Sequence, residues 1–394
     1  MLAPLAPLSF AAGVPLNASG LPSWLVAATT VNAVATIPGS KLGGSAGAPG
    51  SVAGDATSSA AKRINAFCGM AFDHARKRIC LLAHGGHSDY QGNEVSRCDL
   101  NKNTAEWSLL KAIGSGYVAG AAYYSDNTPN ARHTYYYNHW VPQHGAAGQW
   151  AMTRATYTSG AVNSFPYWDE FNPETNQWDV GVDAGGTWPN SQIGLCVFDE
   201  TLGMGWGVSV GGTTLYRYDA NTDTWVSKNF AGANYMYMPL AWSADRSELF
   251  FCANGDNYSF GNGVLTAAKL TGVTGATTGW TKTNITFNAG AGLTDFLANT
   301  HYTPGMVWDS ANGCYWMYEG RQGATMQFYK ITPNGTTVWD IELVTMTGTT
   351  IALSTGASAG GINSKLRYVP DWKGLILLAD ANSLVYYIRT ASMT

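Results

Sequence analysis

The hydrophobic and polar positions of this chain form short apolar runs that turn back on themselves. About four apolar residues lead to a turn that carries Asp, Pro, Asn or Gly, and a second apolar run follows. This strand–turn–strand pattern is typical of a β-hairpin. It occurs six times, in GMAFDHARKRICLL, YNHWVPQHGAAGQWAM, GLCVFDETLGMGWGV, PLAWSADRSELFFC, GMVWDSANGCYWMY and LRYVPDWKGLILL.

The aromatic residue before each turn marks the register of a repeat. The six marks are separated by 68, 58, 44, 66 and 60 residues and are Phe72, Trp140, Phe198, Trp242, Trp308 and Tyr368. After several hairpins a further strand, an Asp/Asn–Thr turn and a Trp follow, and we take this Trp as the start of an outer strand. These tryptophans are Trp107, Trp178, Trp225 and Trp339. Four short strands per repeat and six repeats predict an all-β, six-bladed β-propeller.

The two ends of the chain complete this ring. The last repeat stops after three strands, while residues 31–40 form a strand-like segment before the first hairpin. We therefore predict that the N-terminal strand is the outer strand of the last blade, which removes two free sheet edges. The chain then divides into an N-terminal extended arm, residues 1–30, and a single six-bladed propeller, residues 31–394.

Composition supports β structure and excludes some partners. Only 12% of the residues are charged, whereas Gly (46), Trp (15) and Tyr (21) are abundant, as expected for pleated strands joined by tight turns. A net charge of −4 gives no reason to expect nucleic acid. No apolar run reaches about twenty residues, so we expect no membrane insertion. The six cysteines form no CxxC pair, which favours buried thiols over disulfides.

Blade 1 carries a family resemblance. Its Gly85, Gly86, Asp99 and Trp107 follow the pattern of a kelch repeat. HGGHSDYQGNEV followed by YSDNTPNARHTYYYNH resembles a divergent group of kelch-like propellers in structural proteins of tailed bacteriophages. The resemblance implies a non-enzymatic virion protein, associated with the tail or tail fibre and assembled in the cytoplasm of the bacterial host. It also implies host attachment, with one propeller face for receptor binding to a glycan.

Partners and alternatives follow from the same resemblance. We expect contacts with other virion proteins through the N-terminal arm, within an oligomeric assembly. One alternative is a head decoration or tail-assembly subunit that contacts only virion proteins. Another is a carbohydrate-active enzyme that acts on host capsule or lipopolysaccharide.

A polar cluster in blade 1 is the candidate ligand-binding site. The loop between the second and third strands of a blade emerges on the same face as the connection into the next blade. We therefore expect one loop to meet the other, bringing together His87, Asp89, Tyr90, Asn93 and Glu94 with Asp126, Arg132 and His133. We favour a hydrogen-bonded network that joins two blades, with Arg132 forked onto Asp89 or Glu94. A ligand-reading loop is the second interpretation, and a metal or catalytic site the third.

The sequence offers little further chemistry. Three or four convergent ligands for a metal are not found, so we expect no metal and no cofactor. GxSxG, HExxH and P-loop motifs are absent. Asp169 with Glu170, or Asp126, is a possible carboxylate pair for glycoside cleavage, although we interpret these acids as turn residues.

Aromatic residues outside the hairpins allow two interpretations. TYYYNHW should form a strand with about half its rings in the core. Four rings in Gly/Asn-rich connections are expected to be exposed, either for stacking on sugars or for burial against another subunit, namely Trp188, Tyr235, Tyr237 and Tyr258.

Overall fold

A computed structural model gives the three-dimensional structure of the chain. It describes residues 20–45, 64, 68–83, 92–118, 121–132, 134–153, 156–158, 161–164, 168–182, 195–208, 214–230, 239–254, 265–299, 303–321, 323–353 and 361–393.

Six antiparallel sheets, one per blade, form the described part of the chain. The first strand among the described residues is β1 (Ala33–Thr36). Blade 1 consists of β2 (Ala71–Asp73), β3 (Arg78–Leu82), β4 (Val95–Asp99) and β5 (Glu106–Lys111). Blade 2 consists of β6 (Asn138–Val141), β7 (Gln149–Thr153), β10 (Trp168–Asn172) and β11 (Gln177–Val182). Between its second and third strands the chain forms a small hairpin of β8 (Thr156–Thr158) and β9 (Ala161–Ser164).

The next three blades repeat this order. Blade 3 consists of β12 (Val197–Asp199), β13 (Met204–Val208), β14 (Thr214–Asp219) and β15 (Thr224–Asn229). Blade 4 consists of β16 (Leu240–Ser243), β17 (Glu248–Asn254), β18 (Leu265–Thr271) and β19 (Thr281–Asn284). Blade 5 consists of β21 (Gly305–Asp309), β22 (Cys314–Tyr318), β23 (Gln327–Thr332) and β24 (Val338–Thr345), with β20 (Thr286–Phe287) added in parallel to β24.

Blade 6 is completed by the N-terminal strand, as predicted. It consists of β26 (Leu366–Val369), β27 (Gly374–Leu377), β28 (Tyr386–Arg389) and β1, with β25 (Thr347–Gly348) parallel to β1. Strand β1 runs antiparallel to β28, with Val34 opposite Ile388. The described helices are short: α1 (Ser23–Ala27), α2 (Ala291–Ala298) and three 3₁₀ turns at Thr277–Gly279, Asn363–Lys365 and Pro370–Trp372. None of the described helices is long and apolar enough to span a membrane.

The register marks confirm the predicted repeat. Each of the six aromatics lies next to last in the innermost strand of its blade, or in the middle of a three-residue strand. They pack between adjacent blades; for example, Trp242 of blade 4 stacks on Trp206 of blade 3 with ring centroids 4.5 Å apart. The four outer tryptophans each occupy the second position of an outer strand. The pattern missed Trp280, which precedes β19, because the turn before it contains a 3₁₀ helix.

The prediction for TYYYNHW was wrong. Strand β6 begins only at Asn138, and Tyr135, Tyr136 and Tyr137 are all buried. A positive φ of 39° at Tyr135 turns the chain here, and the Tyr136 hydroxyl donates to the Pro304 carbonyl at 2.7 Å. The segment crosses the propeller interior, where protein surrounds it on both sides, so no alternation between core and solvent arises. The cysteine prediction was correct, since all six are buried free thiols.

The topology defines two faces, the turn face and the loop face. The turn face carries the tight turns between the first and second strands, and between the third and fourth strands, of each blade. The loop face carries the connections between the second and third strands and between successive blades. The predicted polar cluster belongs to the loop face.

Candidate ligand-binding site

An axial cavity of about 960 Å³ runs along the propeller axis. Every blade contributes residues of its innermost strand or of the turn that follows it. The turn residues, such as His74, Glu200, Asp245 and Asp371, surround its mouth, so the cavity opens on the turn face. A concave site of this volume is in the range that holds small molecules.

Hydrogen bonds between connections cross the other end of the axis. The Tyr136 hydroxyl of blade 2 donates to the carbonyl of Pro304, which precedes blade 5. The Ser364 hydroxyl contacts the carbonyls of Met70 and Tyr135, both at 3.3 Å. These contacts tie blades 1, 2, 5 and 6 together beneath the cavity.

Arg367 supplies a cation to the cavity wall. It lies on β26, lines the cavity and donates from Nη2 to the carbonyls of Met70 at 2.8 Å and Asn138 at 3.4 Å. It forms no ion pair with the described residues, and its buried Nε has no hydrogen-bond partner there. Burial lowers the pKa of Arg367 to about 10, a shift that the charge of Glu200 partly opposes. The guanidinium therefore stays charged at neutral pH without a carboxylate of its own.

Aromatic rings form much of the remaining wall. The register marks of five blades reach the cavity: Trp140, Phe198, Trp242, Trp308 and Tyr368. The same repeat that packs the blades together therefore also lines their common axis.

Acidic side chains at the mouth are already hydrogen-bonded. Asp199 accepts from the indole Nε1 of Trp242 at 2.7 Å, and Asp245 accepts from that of Trp308 at 2.6 Å. Glu200 of blade 3 contacts Nδ1 of His74 of blade 1 at 2.5 Å. These bonds fix the carboxylates in the rim of the mouth.

His74 acts as a bridge between three blades. Its Nδ1 faces Glu200 and its Nε2 lies 3.2 Å from the carbonyl of Tyr368 in blade 6. Both ring nitrogens of His74 are therefore engaged by other blades, and the side chain joins the blades at the rim of the mouth.

The structure describes half of the predicted polar cluster. Asn93 donates from Nδ2 to the Thr128 hydroxyl at 2.7 Å and to the Pro129 carbonyl at 2.8 Å, and its Oδ1 accepts from the Gly114 amide. Asp126 accepts from the same Thr128 hydroxyl at 2.6 Å. The blade 1 loop and the connection into blade 2 therefore meet on the loop face.

This network also changes the proton affinity of Asp126. Although partial burial acts to raise the pKa of Asp126, hydrogen bonds from Thr128 and Ser115 outweigh it and lower that pKa. Glu94 is buried. The other predicted members lie outside the described residues, namely His87, Asp89, Tyr90 and His133, and so do Trp188, Tyr235, Tyr237 and Tyr258.

Arg132 is paired with an acid that the cluster prediction did not include. Its Nη1 lies 2.7 Å from Oδ2 of Asp169 in blade 2, and both side chains are fully buried. Oδ1 of Asp169 accepts from the Tyr123 hydroxyl and the Gly181 amide, both at 2.9 Å. This pair joins the connection to the blade that follows it.

The interpretation of Asp169 and Glu170 as turn residues was wrong. Both lie inside strand β10, and because strand side chains alternate they point to opposite faces of blade 2. Glu170 accepts from the indole of Trp168 at 2.6 Å and contacts Nδ1 of His144, whose Nε2 contacts Tyr218 of blade 3 at 3.0 Å. Since the two carboxyl groups lie in separate networks, they do not form a catalytic pair.

The main cavity residues were missed by the sequence analysis, although a signal was present. His74 follows Phe72 by two positions, Glu200 follows Phe198 by two, and Arg367 precedes Tyr368 by one. Polar residues next to a register mark are held at the axis by the propeller itself. Within the described ranges, no three His, Cys, Asp or Glu side chains gather into a metal-binding group.

Comparison with known proteins gives no family. No protein-family model matches the chain, and no curated protein matches it by sequence. Among solved structures, a luciferin-regenerating enzyme shares 12% identity and a TM-score of 0.43, over 90% of this chain and 94% of that one. YjhT shares 8% identity and a TM-score of 0.47, over 81% of this chain and 92% of that one.

Proposed function

We propose that this protein is a non-enzymatic glycan-recognition propeller whose ligand is a saccharide with an anionic group, bound in the axial cavity. The observation that carries the proposal is Arg367, a cation in the cavity wall without an ion-pair partner among the described residues. A guanidinium in such a place favours a carboxylate, sulfate or phosphate on the ligand. The aromatic wall provides flat surfaces for the apolar faces of sugar rings.

The biological setting is proposed from the resemblance of blade 1 to kelch-like phage propellers. In that setting the protein belongs to a tailed-phage virion, associated with the tail or tail fibre, and binds the glycan receptor of the host. The arm of residues 1–30 is the part that we assign to contacts with other virion proteins. Its helix α1 already packs on the propeller, where Trp24 and Leu25 are buried, so these contacts are expected from the remainder of the arm. The turn face, where the axial cavity opens, is then directed towards the host surface.

A carbohydrate-active enzyme is the second candidate, because a deep cavity with several acids at its mouth is compatible with one. Asp199 and Asp245 are held by tryptophan indoles and Glu200 by His74. A glycosidase needs one carboxyl group that can protonate the leaving oxygen and a second that acts as nucleophile or base. Since these acids are already engaged in the rim, we favour binding without cleavage.

Binding to an array of acidic and neutral fragments of bacterial capsule and lipopolysaccharide tests the proposal. Saccharides that bind are then titrated while tryptophan fluorescence is recorded, because three tryptophans line the cavity. We expect acidic fragments to bind and Arg367→Met to weaken their binding at least about tenfold, the effect of losing a charge-assisted contact. Neutral fragments should bind more weakly and respond little to this substitution.

Arg217→Met is the matched control. Arg217 also donates to two backbone carbonyls, Val273 and Gly275, and burial also lowers its pKa, but it lies outside the cavity. The Arg217→Met variant should bind the saccharide like the wild type. Binding of no fragment would contradict glycan recognition and favour a subunit that contacts only virion proteins. Release of new reducing ends during incubation would instead favour the enzyme.

A further inference from the structure

A second cavity, of about 190 Å³, lies on the turn face between blades 1 and 2. Three of its lining residues are the arginines Arg76, Arg78 and Arg97, and two are the tryptophans Trp140 and Trp150. We call this cavity the arginine groove. It belongs to neither the axial cavity nor the loop-face polar cluster.

Strand periodicity brings two of these arginines together. Arg78 begins β3 and pairs with Asp99, while Arg97 in the middle of β4 pairs with Cys80. Because alternate residues share a face, Arg78, Cys80 and Arg97 all lie on the side of blade 1 that faces blade 2. Further along the same side, apolar residues such as Leu82 pack against blade 2. The interface is thus apolar inside and charged where it reaches the turn face, where Asp99 shares this side with the two arginines and Asp73 also lines the groove.

The acids near the groove are unequally shared among the arginines. Nη1 of Arg76 lies 2.9 Å from Oδ2 of Asp73, and Nε of Arg78 lies 3.4 Å from Oδ2 of Asp99. Arg97 forms no ion pair within the described ranges, and its buried Nε has no hydrogen-bond partner there. Burial and, to a smaller extent, the charge of Arg78 lower the pKa of Arg97, while Cys80 and Asp99 act to raise it. Glu174 lines the groove but is exposed and forms no ion pair with the described residues.

We propose that the arginine groove binds an oxyanion, that is, a phosphate, sulfate or carboxylate group, with Arg97 and Arg78 as its cationic partners. A bound oxyanion would provide the negative charge that Arg97 lacks and would reduce its repulsion with Arg78. The planar guanidinium groups offer paired N–H donors that match two oxygens of such a group. The rings of Trp140 and Trp150 would cover the less polar part of the ligand.

The groove shares a wall with the axial cavity. Arg76, Trp140 and Ala147 line both. The Arg76 guanidinium carbon lies 5.3 Å from the centre of the Trp140 ring, and its Nη2 donates to the Ala147 carbonyl at 3.4 Å. The anion can therefore be a free ion or a substituent of a saccharide that extends from the axial cavity; the second source alone rests on the proposed function.

Calorimetric titration with inorganic phosphate and with sulfate, at constant ionic strength in chloride, tests the groove directly. We expect saturable binding to the wild-type protein, and at least about tenfold weaker binding to Arg97→Gln. Arg97→Lys should fall between the two, because lysine keeps the charge but loses the forked geometry. Arg78→Gln provides a second variant in the same groove, and a thermal unfolding curve shows that each variant is folded.

Two further variants separate this proposal from the proposed function. Arg217→Gln, outside both cavities, should bind phosphate like the wild type. Phosphate bound at Arg367 in the axial cavity should be lost in Arg367→Met but retained in Arg97→Gln, whereas phosphate bound in the groove should show the reverse. Absence of saturable binding, or equal binding by wild type and Arg97→Gln, would overturn the groove as an anion site. Loss of phosphate binding in Arg367→Met alone would place the anion in the axial cavity and would also overturn it.

The source of the anion is distinguished by a titration with a saccharide that contains uronic acid. If Arg97→Gln and Arg367→Met each weaken its binding, the groove takes a substituent of the saccharide in the axial cavity. If only Arg367→Met weakens it while Arg97→Gln weakens phosphate binding, the groove takes a free anion. Both results support an anion site in the groove.

Discussion

The interface between blades 1 and 2 contains an arginine at each end. The two arginines differ in whether a carboxylate neutralises their charge. At the loop face, Arg132 and Asp169 are both fully buried and lie 2.7 Å apart. At the turn face, Arg97 opens into the arginine groove and has no ion-pair partner among the described residues. One arginine fastens a connection to a blade, whereas the other keeps its charge available. The comparison suggests a criterion that the variants below test: an arginine with a buried carboxylate partner is structural, and one without such a partner is free to bind a ligand.

The largest effect is expected from breaking the loop-face pair. Arg132→Met leaves the Asp169 carboxylate buried without its cation and should lower the free energy of unfolding by about 3 to 5 kcal/mol. Urea denaturation measures this loss. The double variant with Asp169→Asn keeps an acceptor for Tyr123 and should recover a large part of it. A loss below about 1 kcal/mol in the single variant would show that the pair does not fasten the junction.

A smaller effect is expected from Lys365, a buried cation at the loop-face end of the axis. Its Nζ donates to the Ile64 carbonyl at 2.8 Å, and burial lowers its pKa from 10.5 to about 8. Between pH 8 and pH 10.5 the folded protein has lost this proton and the unfolded chain still binds it. Lys365 therefore makes the free energy of unfolding rise as pH rises through this range. Relative to Lys365→Met, the wild type should gain about 3 kcal/mol from pH 7.5 to pH 11.

The Lys365 comparison uses the difference between the two proteins, because tyrosines and cysteines also titrate in this range. Urea denaturation at the two pH values gives that difference. A difference that does not change with pH would show that Lys365 keeps its ordinary proton affinity, and would weaken the contrast between the two faces.

His139 should make the wild type sensitive to acid. Burial first, and Arg367 second, lower its pKa from 6.5 to about 3, while its Nε2 donates to the Leu195 carbonyl at 2.7 Å. As pH falls below 6.5, His139 takes up a proton in the unfolded chain but stays neutral in the folded protein, so the free energy of unfolding falls. At pH 5 this group should cost about 2 kcal/mol relative to pH 7.5.

His139→Gln is the variant that isolates this loss. Its amide can still donate to the Leu195 carbonyl but takes up no proton. Denaturation at pH 7.5 and pH 5 should therefore show a smaller loss in the variant than in the wild type. Equal losses would mean that acid acts elsewhere in the protein.

The smallest effect is expected from Arg97→Met at the turn face. This substitution removes a guanidinium that has no ion pair and that is repelled by Arg78. It should therefore raise the free energy of unfolding slightly, by less than about 0.5 kcal/mol. The same urea denaturation measures it, with Arg78→Met, which loses the contact with Asp99, as the matched comparison. A loss above about 2 kcal/mol would mean that Arg97 has a structural role, and would remove the contrast with Arg132.

Much of the fold could be predicted because the propeller repeats one local pattern. A hairpin with an aromatic before its turn and a Trp after a later turn are both short-range features. Ring closure was also predictable, because a last repeat with three strands needs a fourth. TYYYNHW was misjudged since its chain crosses the interior, which no local alternation reveals. Asp169 and Glu170 were misjudged for a related reason, because both acids are stabilised inside a strand by partners from distant segments.

The candidate site was much less predictable than the fold. Asn93 and Asp126 meet through Thr128, whereas Arg132 pairs with Asp169, 37 residues further along the chain. Arg367 and Glu200 line one cavity although they come from blades 6 and 3. A sequence shows which residues carry charge, but only the packed blades show which charges lack a partner.

The sequence by itself determined the number of blades, the order of their strands and the closure by the N-terminal strand. These follow from hydrogen bonding and burial along neighbouring strands, which a period-two pattern records. The tertiary structure decided where charge is compensated and where space remains. Ion pairing and cavity shape depend on distances between residues far apart in the chain, and these distances are set only when six blades close around one axis.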